Sequence, residues 1–154
     1  MTQASSENKS ESSAITAELQ LEREIDKRLD EIVELVEKQI QKSGVIGNLQ
    51  PSQLRNAASV AANTATSFQT VKNWIRYQVG RSNSRWPEKF ADGVIKDCEE
   101  LRKKADEIAN FVPAFEVANI HIRLIRLYLG YLIRAFIYQD KMRPQQDTQR
   151  EARR

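Results

Sequence analysis

Residues 120–138, IHIRLIRLYLGYLIRAFIY, decide the fold. The stretch has no proline, one glycine (Gly130), and apolar side chains on nearly every side of a helical wheel. It shows no two-residue alternation, so it reads as a long helix rather than a strand. Arg123, Arg126 and Arg134 interrupt it. Three guanidinium groups in a span of that length make bilayer insertion costly. The stretch is therefore expected to be the most buried helix of a bundle, starting at Pro113 and running to about Met142.

Upstream, the same three- and four-residue spacing recurs. Phe90, Val94, Cys98, Leu101, Ala105 and Ile108 predict an amphipathic helix over 87–110. Phe68, Val71, Ile75 and Val79 predict another, capped by Thr66 or Ser67 and ending near Gly80. Pro51 opens a short helix over 51–63, with Leu54, Ala57, Ala58 and Ala61 inward. Ile25, Leu29, Ile32, Val33, Val36 and Ile40 predict a densely charged first helix over 14–42. Residues 43–49 form a loop with Gly44 and Gly47 as stops.

Only five glycines and four prolines occur in 154 residues, which suits a few long elements. The expectation is an all-α bundle of about five helices over 14–142. Residues 1–13 and 143–154 are polar and expected to be disordered tails. Mean hydropathy is −0.60 and the start, MTQASSENKSESS, has no apolar run, so a cytoplasmic protein is expected. Cys98 is the sole cysteine, which excludes an internal disulfide and a cysteine-cluster metal site.

Net charge is +3, and its distribution says more than its size. Residues 14–42 carry eight acids and five bases, and 87–112 carry seven acids and five bases. Residues 43–86 carry Arg55, Lys72, Arg76, Arg81 and Arg85 with no acid. Composition alone would put about six acids there. Cations without competing carboxylates favour a polyanion. On the helix ending near Gly80, Gln69, Lys72, Asn73, Arg76 and Tyr77 share the face opposite the apolar one, with groups suited to phosphate and sugar. The bland alternative is a solvated basic face.

On the last helix Asn119, Arg123, Arg126, Gly130, Arg134 and Lys141 form a stripe. Gly130 there suits either close approach by another backbone or a helix crossing. Trp74 and Trp86 read as packing residues, with base stacking the weaker reading. His121, the sole histidine, lacks metal-ligand partners and reads as a core or boundary residue. Glu99–Glu100 and Asp106–Glu107 read as solvated pairs rather than acid–base machinery. Phosphate-loop, nucleophile-elbow and dinucleotide-binding patterns are missing, so catalysis, a metal and a cofactor are not expected.

Leu49-Gln50-Pro51-Ser52-Gln53-Leu54-Arg55 resembles the threonine-x-x-Gln-Ile/Leu-Arg opening found in the small helical subunit of type III CRISPR–Cas effector complexes, of the Csm class. Trp74-Ile75-Arg76-Tyr77-Gln78-Val79-Gly80-Arg81 is similar to that family's aromatic-x-x-Gly-Arg stretch, and a long last helix with Phe136 and Tyr138 also fits. The resemblance spans about 49–140. The chain departs from the pattern at Pro51-Ser52, where threonine is expected, and in its long charged first helix.

The resemblance implies a helical subunit without catalytic activity. Such copies stack along a guide RNA–target RNA duplex beside other effector subunits and hold the target strand in a basic groove. Arg55, Arg76 and Arg81 would line the groove by residue match; helix geometry adds Lys72, Arg85, Arg123, Arg126 and Arg134. Contacts to phosphate and sugar would be indifferent to target sequence. The competing reading is a protein–protein adaptor whose first helix pairs with a partner helix. An enzyme with an unrecognised site stands third.

Overall fold

In a computed structural model, backbone is described for residues 2–44 and 46–151, and side chains for 5–142 apart from Val45. The order is α1 (Thr2–Asp26), α2 (Leu29–Ser43), α3 (Pro51–Ala62), α4 (Phe68–Gly80), α5 (Glu88–Phe111) and α6 (Val117–Glu151). All regular structure among the described residues is helical.

α6 is the hub, packing on α2, α3, α4 and α5. Ile120, His121, Ile122, Leu124 and Ile125 are all buried, which no one-sided helix allows. The arginine-bearing stretch is thus the bundle's central helix. No helix among the described residues is long and apolar enough to cross a membrane.

The expected first helix is two helices, so the described residues form six rather than five. Arg28 leaves helical geometry at φ −113° and ψ 2°. Its N–H bonds Ile25 O at 2.9 Å, a three-residue closure that tightens the last turn of α1. Glu24 ties the corner together: Lys27 Nζ donates to its carboxylate at 2.8 Å, and Arg28 Nη1 donates at 3.2 Å and to Glu24 O at 2.7 Å. The Lys27 bond, with help from Arg28, holds this carboxyl below the usual range against the opposing effect of burial. No glycine or proline marks the bend. Buried Leu21 and Ile25 lie on α1, which packs on α5; buried Ile32, Val36 and Ile40 lie on α2, which packs on α6 and α5.

Helical backbone extends beyond both boundaries drawn for the tails. α1 starts at Thr2, and residues 5–14 are exposed along it. Thr2–Asp26 contains no glycine or proline, and a helix nucleated at its docked end propagates at low cost. α6 runs to Glu151; Met1, Val45 of the loop and residues 152–154 lie outside the described residues.

The last helix begins at Val117, not Pro113. Phe115 N–H bonds Val112 O at 3.1 Å in a turn, and Glu116 O accepts the first helical bonds, from Asn119 and Ile120. Gly44 and Gly47 both take φ +55°, as their reading as stops requires. Between α2 and α3, Ile46 and Leu49 are buried and pin the loop to the core.

Candidate nucleic-acid interface

α4 starts as its sequence predicts. Ser67 Oγ accepts the Thr70 N–H at 3.2 Å, capping the first turn. Val71, Ile75 and Gln78 turn inward, while Gln69, Asn73, Arg76 and Tyr77 are exposed. Arg81 caps the other end, its N–H bonding Tyr77 O at 3.1 Å. Asn83 then takes φ +60°, a left-handed turn that asparagine tolerates better than most residues. Arg76, Tyr77, Arg81 and Arg85 are exposed over this end of α4 and the turn after it.

The two tryptophans pack. Trp86 is buried and meets half-buried Trp74 edge-on at 6.1 Å and Phe90 at 6.3 Å. Beside the arginines, Tyr77 is the ring open to solvent, at 63% exposure; Phe111 and Tyr138 are exposed elsewhere. Tyr77 was only one member of a polar face in the sequence reading.

On α3, Gln53 has a local structural task. Its Oε1 accepts the Gln50 N–H at 2.6 Å, closing the helix start before Pro51. Leu54 next to it is buried, and Arg55 is exposed.

The eight cations singled out from sequence divide into two groups. Among the described residues, Arg55, Arg76, Arg81, Arg85 and Arg134 are exposed and their guanidinium groups make no hydrogen bond or ion pair, although Arg134 lies over the Tyr131 ring at 5.9 Å. The other three have internal partners. Lys72 Nζ pairs with Glu99 at 2.7 Å. Arg123 binds the Glu18 carboxylate and Asn119 Oδ1, and lies over the Phe115 ring at 5.4 Å. Arg126 donates to Ala61 O at 2.8 Å and to Thr64 O, capping the C-terminal end of α3. Arg123 and Arg126 of the α6 stripe are therefore committed within the molecule, while Arg134 and Lys141 are exposed without a hydrogen-bond or ion-pair partner among the described residues.

Arg76 also lines an open cleft between the end of α2, α4 and the start of α5. Lys42, Lys89 and Lys96 share it with Glu88, Asp92 and Glu99. These three lysines belong to helices whose net acidity hid them from a segment-by-segment charge count. Glu99 is already neutralised by Lys72.

Gly130 has nothing within 4 Å of where a Cβ would stand, which removes the helix-crossing explanation. The crossing glycine is Gly93, where a Cβ would collide with the Gln39 side-chain amide.

The remaining chemistry is internal. Burial raises the Cys98 thiol far above its ordinary range. Burial also raises Asp97, whose Oδ2 accepts the Tyr128 hydroxyl at 2.6 Å. Sequence reading missed this pair. The signal was there: Asp97 falls three residues after Val94 and four before Leu101, on the inner face of its helix. His121 is buried with Nε2 2.7 Å from Cys98 O. Glu99, Glu100, Asp106 and Glu107 are exposed. Among the described residues, no group of three or more His, Cys, Asp or Glu side chains is placed to hold a metal ion. Comparisons with family models, curated proteins and solved structures find no match to this chain.

Proposed function

We propose that the chain is a non-catalytic RNA-binding subunit, acting in the cytoplasm like the small helical subunit of a type III CRISPR–Cas effector complex. It would stack with copies of itself beside other effector subunits and hold the target strand of a guide RNA–target RNA pair in antiviral defence. One observation carries the reading. In an acid-free run of 44 residues, Arg55, Arg76, Arg81 and Arg85 are all exposed and unpaired among the described residues, while Lys27, Arg28, Lys103, Lys104 and Arg123 have carboxylate partners. Guanidinium groups left unpaired within the molecule suit phosphate. Tyr77 beside them supplies a face on which a base can stack.

The test is single-stranded RNA binding by the purified chain at several salt concentrations. Binding should weaken steeply with salt and be indifferent to sequence. Arg76→Ala and Arg81→Glu should weaken it similarly for every RNA; unchanged retention would rule out this interface.

The adaptor reading has one observation of its own. Ile15 and Leu19, one turn apart on α1, are 62% and 59% exposed. Light scattering with and without RNA separates the two readings, because an adaptor assembles regardless of nucleic acid.

A further inference from the structure

We propose that α1 of one copy lies in a groove between α2 and α6 of the next, so that copies join head to tail in an open row. The contact rests on the stacking part of the reading above, names its two surfaces, and uses none of the arginines of 43–86.

Only the second half of α1 docks on its own bundle, through buried Leu21 and Ile25, while residues 5–16 are exposed. At about 100° per residue, the exposed Ile15 and Leu19 stand on a face turned about 120° from Leu21 and Ile25. The same geometry sets Glu7, Glu11, Glu18 and Glu22 along one side of this apolar row, and Lys9 and Arg23 along the other. Arg123 holds Glu18. The side chains of Glu7, Glu11, Glu22, Lys9 and Arg23 have no ion-pair partner among the described residues.

The groove matches this ridge in both respects. It encloses about 710 Å³ and is lined by Val36, Ile40, Tyr131, Ala135 and Tyr138, the last 68% exposed. Arg134 stands on its α6 side and Glu37 on its α2 side. Lys141, two turns along α6 from Arg134, extends the cationic rim. These three charges are exposed and have no ion-pair partner among the described residues. Lys38 lines a different cleft, and Asp140 falls on another side of α6.

Two apolar side chains four residues apart suit a groove of this kind. The glutamate side of the ridge meets Arg134 and Lys141, and Lys9 and Arg23 meet Glu37. Turning the helix end for end would oppose like charges, so the charges fix its direction. Ridge and groove are different surfaces, so the contact is heterologous and leaves one of each open at the ends of a row. It also gives Ile15 and Leu19 a place in an RNA-binding protein and takes Arg134 out of the RNA set. The contact is small. Free copies part at low concentration, while neighbours on one RNA meet at high effective concentration.

The test is cross-linking of full-chain cysteine variants. Cys98 is buried and its thiol is raised far above the ordinary range, so only added cysteines react. Leu19→Cys and Tyr138→Cys change exposed positions and should leave the fold intact. Mixed at about 1 mM chain, the concentration that tethering supplies, they should be joined by a short bis-maleimide about tenfold more than either is to itself, or than Leu19→Cys is to the exposed control Ser82→Cys. At about a hundredth of that concentration, RNA should restore the yield. Arg134→Glu with Lys141→Glu in the Tyr138→Cys copy should cut the yield about fivefold, and Glu11→Lys with Glu22→Lys in the Leu19→Cys copy should recover it. Self-linking of either variant at the mixed yield, no link above the Ser82 control, or no recovery on double reversal would each overturn the contact. A link at the higher concentration that RNA fails to raise supports the contact and counts against the RNA reading. RNA retained by a mixture that does not link does the reverse.

Discussion

The Tyr128 hydroxyl donates to Asp97 Oδ2 at 2.6 Å, linking α6 to α5 inside the core. Burial raises the Asp97 pKa, with the Tyr128 bond opposing the shift. A carboxyl raised on folding binds its proton more tightly in the native state. Its contribution is therefore most favourable in acid and is lost as pH rises through the native pKa. Asp97→Asn keeps an acceptor for Tyr128 without the charge. Its stability relative to the parent should improve between about pH 4 and pH 7, read by denaturant melts at each pH. Tyr128→Phe should cost about 1–3 kcal/mol at neutral pH, because the carboxylate loses its donor.

Gly130 and Gly93 should respond oppositely to alanine. At Gly130 the Cβ enters open space in mid-helix, so Gly130→Ala should stabilise by about 0.5–1 kcal/mol. Gly93→Ala drives a methyl into the buried Gln39 amide, which bonds Ser43 Oγ at 3.1 Å. Displacing it should offset the helix-propensity gain, and thermal melts should place Gly93→Ala below Gly130→Ala. If Gly130→Ala also weakens RNA binding, backbone approach at that position gains support.

Helix class was legible in the sequence because Leu54, Val71, Ile75, Val94 and Leu101 repeat at helical spacing, and Ser67 and Pro51 mark starts by their own chemistry. The corner at Lys27–Arg28 was not. It is made by Glu24 reaching forward to two cations, and Ile25, Leu29 and Ile32 keep helical spacing straight through it. The exposed arginines of 43–86 were legible because no acid there competes for them. Which cations are free was not, because Arg126 is satisfied by carbonyls on α3 and beyond, some 60 residues away in the chain.

Arg126 and Arg76 should separate stability from binding. Arg126→Ala leaves Ala61 O and Thr64 O without their charged donor, at a cost of about 1–3 kcal/mol in unfolding free energy. Arg76→Ala touches no internal partner and should leave stability within about 0.5 kcal/mol. In RNA titrations the order reverses: Arg76→Ala should lower the slope of log affinity against log salt by about 0.7, the value for one single-strand phosphate contact. A slope change for Arg126→Ala without loss of stability would return it to the interface.

Tyr77 and Trp86 make the matching pair among the aromatics. Tyr77 is 63% exposed, and Tyr77→Ala should leave unfolding nearly unchanged while weakening single-stranded RNA by about 1–3 kcal/mol if a base stacks there. Trp86 is 5% exposed between Trp74 and Phe90, so Trp86→Ala should open a cavity and cost about 3–5 kcal/mol. Its Nε1 is buried without a hydrogen-bond partner, so the indole is held by packing alone. Trp86→Phe removes that unsatisfied donor along with part of the ring and should cost less than alanine. Binding lost in Trp86→Phe with stability retained would move base stacking from Tyr77 to the tryptophan pair, so chemical melts and RNA titrations of the three variants together decide which ring meets the base.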